Sequence, residues 1–316
     1  MSGLMAVFWK ELADHFNSKR FIILSLLIYL AGIATIYVAA QNIRTGITET
    51  TEFIFLRLFI VSGETLPFSF PFFLSLFIPI VGIALGFDAI NSERASGNLS
   101  RLLSQPLYRD SVINGKFLAG LITLAILVVS IIVLVAGMGL RMIGVPPTAE
   151  EILRLFAFIF VSIIYGAFWM SLAVLFSVFF SRMATSALAS IALWISLFLF
   201  MSMIAGAVAN AVVPVDQNSS LGLLVQNDEI YRAISRISPN TLYGETIQVL
   251  LMPELGNPSS TLMLVSIYTH GMIPTPLPLG QSLLIIWPQL TSLIALTGLC
   301  FAGAYIKFMR EEIRST

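Results

Sequence analysis

Charge is scarce in this sequence. Only 11% of its 316 residues are Asp, Glu, Lys or Arg, while 57% are hydrophobic, and the mean hydropathy is +0.92. A soluble domain carries about 25% charge, so an ordinary water-facing globule is excluded. Cysteine is nearly absent, since Cys300 alone permits neither an intrachain disulfide nor a thiolate metal cluster. Histidine is limited to His15 and His270, far apart and outside any H-E-x-x-H pattern, which leaves no metal site of the usual kind. The phosphate-cradling G-x-x-x-x-G-K-[ST] loop is missing too, because Gly115-Lys116 is followed by Phe117. Serines in the apolar runs have no paired base, which argues against an intramembrane hydrolase. No catalytic residue, cofactor or nucleic-acid partner is expected of this chain.

What is abundant is apolar sequence in runs of about 20 residues, the length of a helix that crosses a hydrocarbon core. The reading is an all-α integral membrane protein with six transmembrane helices, at 21–40, 68–87, 117–140, 155–181, 184–209 and 283–307. None of these cores holds Asp, Glu, Arg or His, and Lys307 falls at the last boundary. Gln289 is their strongest polar group. A gradient-driven carrier usually needs a titratable group near the midplane, so this composition argues against that class. Pro71, Pro79 and Pro288 are expected to kink their helices. Thr148 and Glu151 read as a capping box opening the fourth span, and Gly82 with Gly86 forms a GxxxG that permits close helix contact.

Residues 1–20 read as an amphipathic surface helix, with Leu4, Phe8, Leu12 and Phe16 on its apolar face, Lys10, Glu11 and Asp14 pointing elsewhere, and Trp9 at headgroup level. The first 20 residues hold acids and the next apolar run is long enough to span, so no cleaved secretion signal is expected. With the N-terminus inside, the inner segments carry Lys10, Lys19, Arg20, Arg94, Arg101, Arg109, Lys116, Arg182, Lys307, Arg310 and Arg314. The longer outer segments carry only Arg44, Arg57, Arg141, Arg154, Arg232 and Arg236. That bias predicts both termini in the cytoplasm of a multi-pass cell-membrane protein. The chain then divides into the surface helix 1–20, spans one to five at 21–209 with a cytoplasmic loop at 88–116, an external segment at 210–282, and the sixth span with a cytoplasmic tail at 283–316. Within the external segment, Ile230, Ile234 and Ile237 predict an in-plane helix. "TLYGETIQVLLMP" predicts a short helix partly re-entering the bilayer, and the prolines of 253–280 predict an irregular loop.

The loop "GFDAINSERASGNLSRLLSQPLYRDSVINGK" at 86–116 is the longest polar interruption of the first half. Gly97 and Asn98 offer a break, Leu99, Leu102 and Leu103 fall at i, i+3, i+4, and Pro106 ends the element. One to two turns with an apolar face are too short to be stable alone. Such an element either packs on its own protein or plugs a partner's groove; composition does not choose between these. Asp110 or Ser111 is expected to cap the next helix.

In this stretch the chain resembles the ABC-2-type permeases, the membrane subunits of type V ATP-binding-cassette exporters. Asp88, Glu93, Gly97, Leu99, Leu102, Leu103, Ser104, Pro106, Arg109, Gly115 and Lys116 stand where that family carries its acidic, Gly-Thr-Leu-like, Leu-Leu-Ser-x-Pro and Gly-Lys steps. Asn98, Leu107 and Tyr108 depart from the pattern. The resemblance implies a coupling helix at 98–105 that docks a separate ATPase subunit through Glu93, Arg94, Gly97, Leu99, Arg101, Leu102, Leu103, Pro106 and Arg109. It also implies a second permease, identical or paralogous, a membrane-lipid environment, and ATP hydrolysis outside this chain. The alternatives are a membrane scaffold or force-transmitting subunit without transport, and a gradient-driven carrier.

Overall fold

A computed structural model describes residues 3–46, 53–61, 68–97, 108–216, 219–253 and 276–310, which are mostly helical with no strand among them. Helix α1 (Gly3–Asn17) precedes α2 (Lys19–Gly46), short α3 (Ile54–Ile60), α4 (Phe70–Gly86) and the single turn α5 (Asn91–Ala95). Then come α6 (Arg109–Ile143), α7 (Ala149–Phe179), α8 (Met183–Val212), α9 (Leu221–Ser235), α10 (Pro239–Leu251) and α11 (Leu279–Arg310). Among the described residues, six helices are long and apolar enough to cross a membrane, namely α2, α4 with its extension to Ala95, α6, α7, α8 and α11. These are the six spans expected from the apolar runs, so the chain is a multi-pass membrane protein.

Span four, α7, is the hub. Its apolar window is 72% buried, against 17% in α8 and α11, and it packs on α11, α4, α6 and α10. The Gly82–Gly86 pair makes its closest approach possible. A Cβ on Gly82 would sit 2.7 Å from the Gly166 carbonyl oxygen, and one on Gly86 would sit 2.6 Å from that of Met170. Backbone atoms cannot swing aside as a side chain can, so this GxxxG is a packing requirement.

Several local expectations are corrected. Pro71 lies in the first turn of α4, where a missing N–H leaves no bond unmade, so only Pro79 and Pro288 lie inside helices. The N-cap of α6 is Tyr108; Asp110 sits in the first turn, and its carboxylate accepts from the Ser111 N–H at 2.7 Å. Ile237 falls beyond the end of α9 and is 62% exposed, so it does not complete a row with Ile230 and Ile234. α10 packs against α7 and α11 and buries Leu242, Tyr243, Ile247 and Leu250; the Tyr243 ring stacks on Tyr165 at 4.3 Å. α8 widens into a π turn at Ser196–Phe200, where the Ser238 hydroxyl donates to the Leu197 carbonyl.

Candidate coupling site

The loop singled out by its sequence enters from α5 and leaves into α6. Glu93 and Arg94 lie on α5, Gly97 just after it, and Arg109 opens α6. Leu99, Arg101, Leu102, Leu103 and Pro106, with the rest of the expected 98–105 helix, lie outside the described residues. Gly97 has φ +70, in the left-handed region that favours glycine, which accounts for the break after α5.

The base of the loop is anchored to span four. The Ser177 hydroxyl oxygen accepts from the N–H groups of Ile90 (2.9 Å) and Asn91 (3.2 Å), satisfying donors at the start of α5. Ile90 is fully buried with Ile113, Val174, Val178, Ala304 and Phe308. Ile90, the N-cap of α5, thus shares one small apolar cluster with α6, α7 and α11 at this end of the bundle.

Beside it lies an ion cluster centred on Lys116. Its Nζ is 2.7 Å from Glu11 Oε1 and 2.8 Å from Glu93 Oε1, and its side chain is only 7% exposed. One ammonium thus ties α1, α5 and span three together. Lys10 adds contacts to Glu11 (3.0 Å), Asp14 (3.5 Å) and Glu93 (3.7 Å). Arg20 pairs with Asp88 at 2.7 Å and lies over the Phe87 ring. The neighbouring glycine explains how α1 comes so near: a Cβ on Gly115 would be 2.9 Å from Val7 Cγ1 and 3.2 Å from the Leu4 carbonyl oxygen. Gly115 lets α1 touch span three, and Lys116 pins it there.

The residues that α1 buries against the protein are Val7 and Glu11; Glu11 faces inward because its partner is the Lys116 ammonium. Electrostatics follow. Burial disfavours the Glu11 carboxylate, yet Lys116 and Lys10 outweigh it and hold its pKa below the usual range. Burial likewise disfavours the charge on Lys10, but Glu11, Glu93 and Asp14 prevail and raise its pKa. For His15 burial wins, and its pKa is pushed below 6.5 despite the carboxylates of Glu11, Asp88 and Asp14.

The opposite end of the bundle holds a polar centre that the apolar-run reading left in a loop. Arg154 is fully buried on α7. Its guanidinium donates to Glu150 Oε1 (2.7 and 3.1 Å), the Leu250 carbonyl (3.1 Å), Ser282 Oγ (3.1 Å) and the Leu277 carbonyl. It clasps α7, the end of α10 and the start of α11. Next to it Glu151 completes the expected capping box with Thr148, and its other oxygen accepts from the Phe55 and Leu56 N–H groups of α3. Every partner here is structural. The sequence signal was the i, i+4 register of Glu150 and Arg154 inside the capping-box turn.

Among the described residues, no group of three or more His, Cys, Asp or Glu side chains could hold a metal ion. The geometry ties α1, the base of the loop and span three together around one buried cation. A comparison with curated proteins finds no match. The profile of a family described as ABC-2 family transporter protein matches residues 5–313, nearly the whole chain and all six spans. The chain belongs to the ABC-2 transporter family, as a polytopic membrane permease.

Proposed function

We propose that this permease is moved by a separate ATPase subunit that docks on the 98–105 segment, and that it works as an exporter beside a second permease, identical or paralogous. The observation that carries this reading is the Lys116 joint. The two described ends of the loop are fastened to α1 and to spans two, three and four, so a push on the loop is passed to all of them. The apolar face of Leu99, Leu102 and Leu103 supplies the docking contact, and truncating one such leucine in a packed interface costs on the order of 2 kcal/mol. Arg94, Arg101 and Arg109 meet acidic rims of the partner and affect association rate more than affinity. Glu93 holds the joint, while Gly97 and Pro106 bound the segment.

In this reading both termini and the 88–116 loop are cytoplasmic, and 210–282 is external. Uncharged span cores suit an amphipathic or lipid-like cargo. The direct test is a Leu102→Asp, Leu103→Asp double change: the variant inserts normally but loses the ATPase on purification, and retention at the wild-type ratio defeats the docking assignment. Topology is tested in a Cys300-free background. Ser100→Cys is expected to resist an impermeant thiol reagent added outside and Ser259→Cys to react; the reverse pattern overturns the orientation.

A further inference from the structure

Side-chain contacts fix the depth of α9 and α10 against the spans. The Tyr165 hydroxyl, near the midpoint of α7, donates to Asn240 Oδ1 at 3.3 Å in the first turn of α10. The Ser238 hydroxyl, just before that turn, donates to the carbonyl of Leu197, near the midpoint of α8. At the other end of α10 the Leu250 carbonyl accepts from Arg154, in the first turns of α7. From Asn240 to Leu250 is about 15 Å of helix, half of a hydrocarbon core of about 30 Å. α10 therefore runs from the middle of the bilayer to the surface opposite the coupling loop. α9 descends to meet it instead of lying in the membrane plane. Asn227 donates to Asn210 Oδ1 (3.0 Å) and to the Val213 carbonyl (2.7 Å) at the end of α8, and Ser235 lies about 12 Å further along the helix.

These two helices carry into the bilayer the charge that the spans lack. Arg232 pairs with Asp228 at 2.7 Å, and Arg236 pairs with Glu245 at 2.9 Å. Gln289 of span six donates to the same Glu245 carboxylate at 3.0 Å. The Arg236 side chain is 40% exposed, two residues from Ser238 and hence near mid-depth. A guanidinium there is too costly to face lipid tails, and ionisable groups at such depth face the bundle interior or a water-filled cavity.

A cavity of about 460 Å³ lies between α9, α4 and α10. Its wall extends from Met252, past the surface end of α10, to Ser75 and Asn240. Both of those residues accept from the Tyr165 hydroxyl, Ser75 through its carbonyl at 3.0 Å, so the cavity reaches the midpoint of span four. Asp228, Arg232, Glu245 and Gln248 line it together with Phe72. The lining carboxylates are each paired with a guanidinium, so neither sign of charge controls entry.

We propose that this cavity is a water-filled vestibule that opens opposite the coupling loop, reaches the middle of the bilayer, and admits small hydrated solutes of either charge. It rests on the proposed topology only for the face, external or cytoplasmic, from which it opens.

The test is thiol accessibility of the full chain, free of Cys300, in right-side-out and inside-out membrane vesicles. Two impermeant methanethiosulfonates are used, one carrying trimethylammonium and one carrying sulfonate. Thr241→Cys, in the first turn of α10, is expected to react with both from outside. The control is Ile126→Cys, exposed at the midpoint of span three, where lipid covers it. Thr241→Cys is expected to react at least about tenfold faster than this control, because a thiol held in apolar surroundings seldom ionises to the reactive thiolate. Gln248→Cys, nearer the mouth, is expected to react faster still. A Cβ on Gly244 meets nothing within 4 Å, so adding Gly244→Phe fills the cavity and is expected to slow the reaction at position 241. The same pattern from the cytoplasmic face keeps the vestibule and overturns the topology instead. Reaction of Thr241→Cys from neither face, reaction with only one of the two reagents, or a rate unchanged by Gly244→Phe overturns the proposal.

Discussion

Lys116 on span three and Glu93 on the turn that leaves span two meet at 2.8 Å, nearly excluded from water, with Glu11 of the surface helix completing the contact at 2.7 Å. Pairing of this kind is weak evidence of net stabilisation, but removing one partner leaves an uncompensated buried charge. Lys116→Met is therefore expected to destabilise the α1 end by on the order of 3 kcal/mol. Hydrogen exchange checks this: amides of α1 and α5 lose protection while those at the centre of α7 keep theirs. Unchanged protection in α1 would show that Val7 and Leu4 hold the helix without the ion pair.

Gly86 faces backbone, so its replacement cannot be absorbed by a rotamer change. Gly86→Leu is expected to separate α4 from α7 and cost about 1–3 kcal/mol, the range for overpacking. Gly137 on α6 is the control, since a Cβ there meets nothing within 4 Å, and Gly137→Ala is expected to be neutral. Thermal unfolding in matched detergent measures both.

Acid should loosen the surface helix in two stages. His15, whose pKa burial depresses below 6.5, binds its proton more readily once α1 has undocked. Stability therefore falls as pH drops from about 6.5 toward the depressed value. Groups facing His15 are Glu11, Asp14, Lys116 and Asp88, and the net result of their fields and burial is the downward shift. Glu11, also depressed, contributes stability above about pH 4.3 that is lost as pH falls through its lower folded value. Lys10 is raised, so its contribution holds at neutral pH and disappears only in strong alkali. Exchange in α1, corrected for the intrinsic rate, is expected to quicken between pH 7 and pH 5.5, and His15→Asn is expected to remove that first stage.

Arg154 cannot be replaced by another cation without loss. Its planar fork serves a carboxylate, a hydroxyl and two carbonyls at once, and a lysine ammonium presents only three donors from one point. Arg154→Lys is expected to lower the melting temperature and Arg154→Ala to lower it further, with α10 and the start of α11 exchanging first.

Much of this architecture was legible because membrane insertion writes itself into local sequence. Apolar runs near 20 residues fixed six spans, and Thr148 with Glu151 marked the start of the fourth. Long-range partners were not legible. Glu11 was read only as lying off the apolar face, because helical periodicity records apolar faces and cannot record an ammonium on a distant span. Arg154 sits immediately before an apolar run and was counted with the loop; its burial depends on carbonyls of Leu250 and Leu277, which no local pattern announces. The Gly82–Gly86 motif was ambiguous until Gly166 and Met170 stood opposite it. Of the residues expected at the docking site, Glu93 proved to be held in the ion cluster, paired with Lys116 at the base of the loop.

The central claim, that a separate ATPase drives this permease through 98–105, is tested most directly by photocrosslinking in intact membranes. A benzophenone amino acid is placed at position 102, and a matched one at exposed Ile237. Coupling through the loop predicts an adduct between position 102 and a P-loop ATPase, and none from position 237. An ATPase adduct at 237, or none at 102 while the two proteins remain associated, would contradict it.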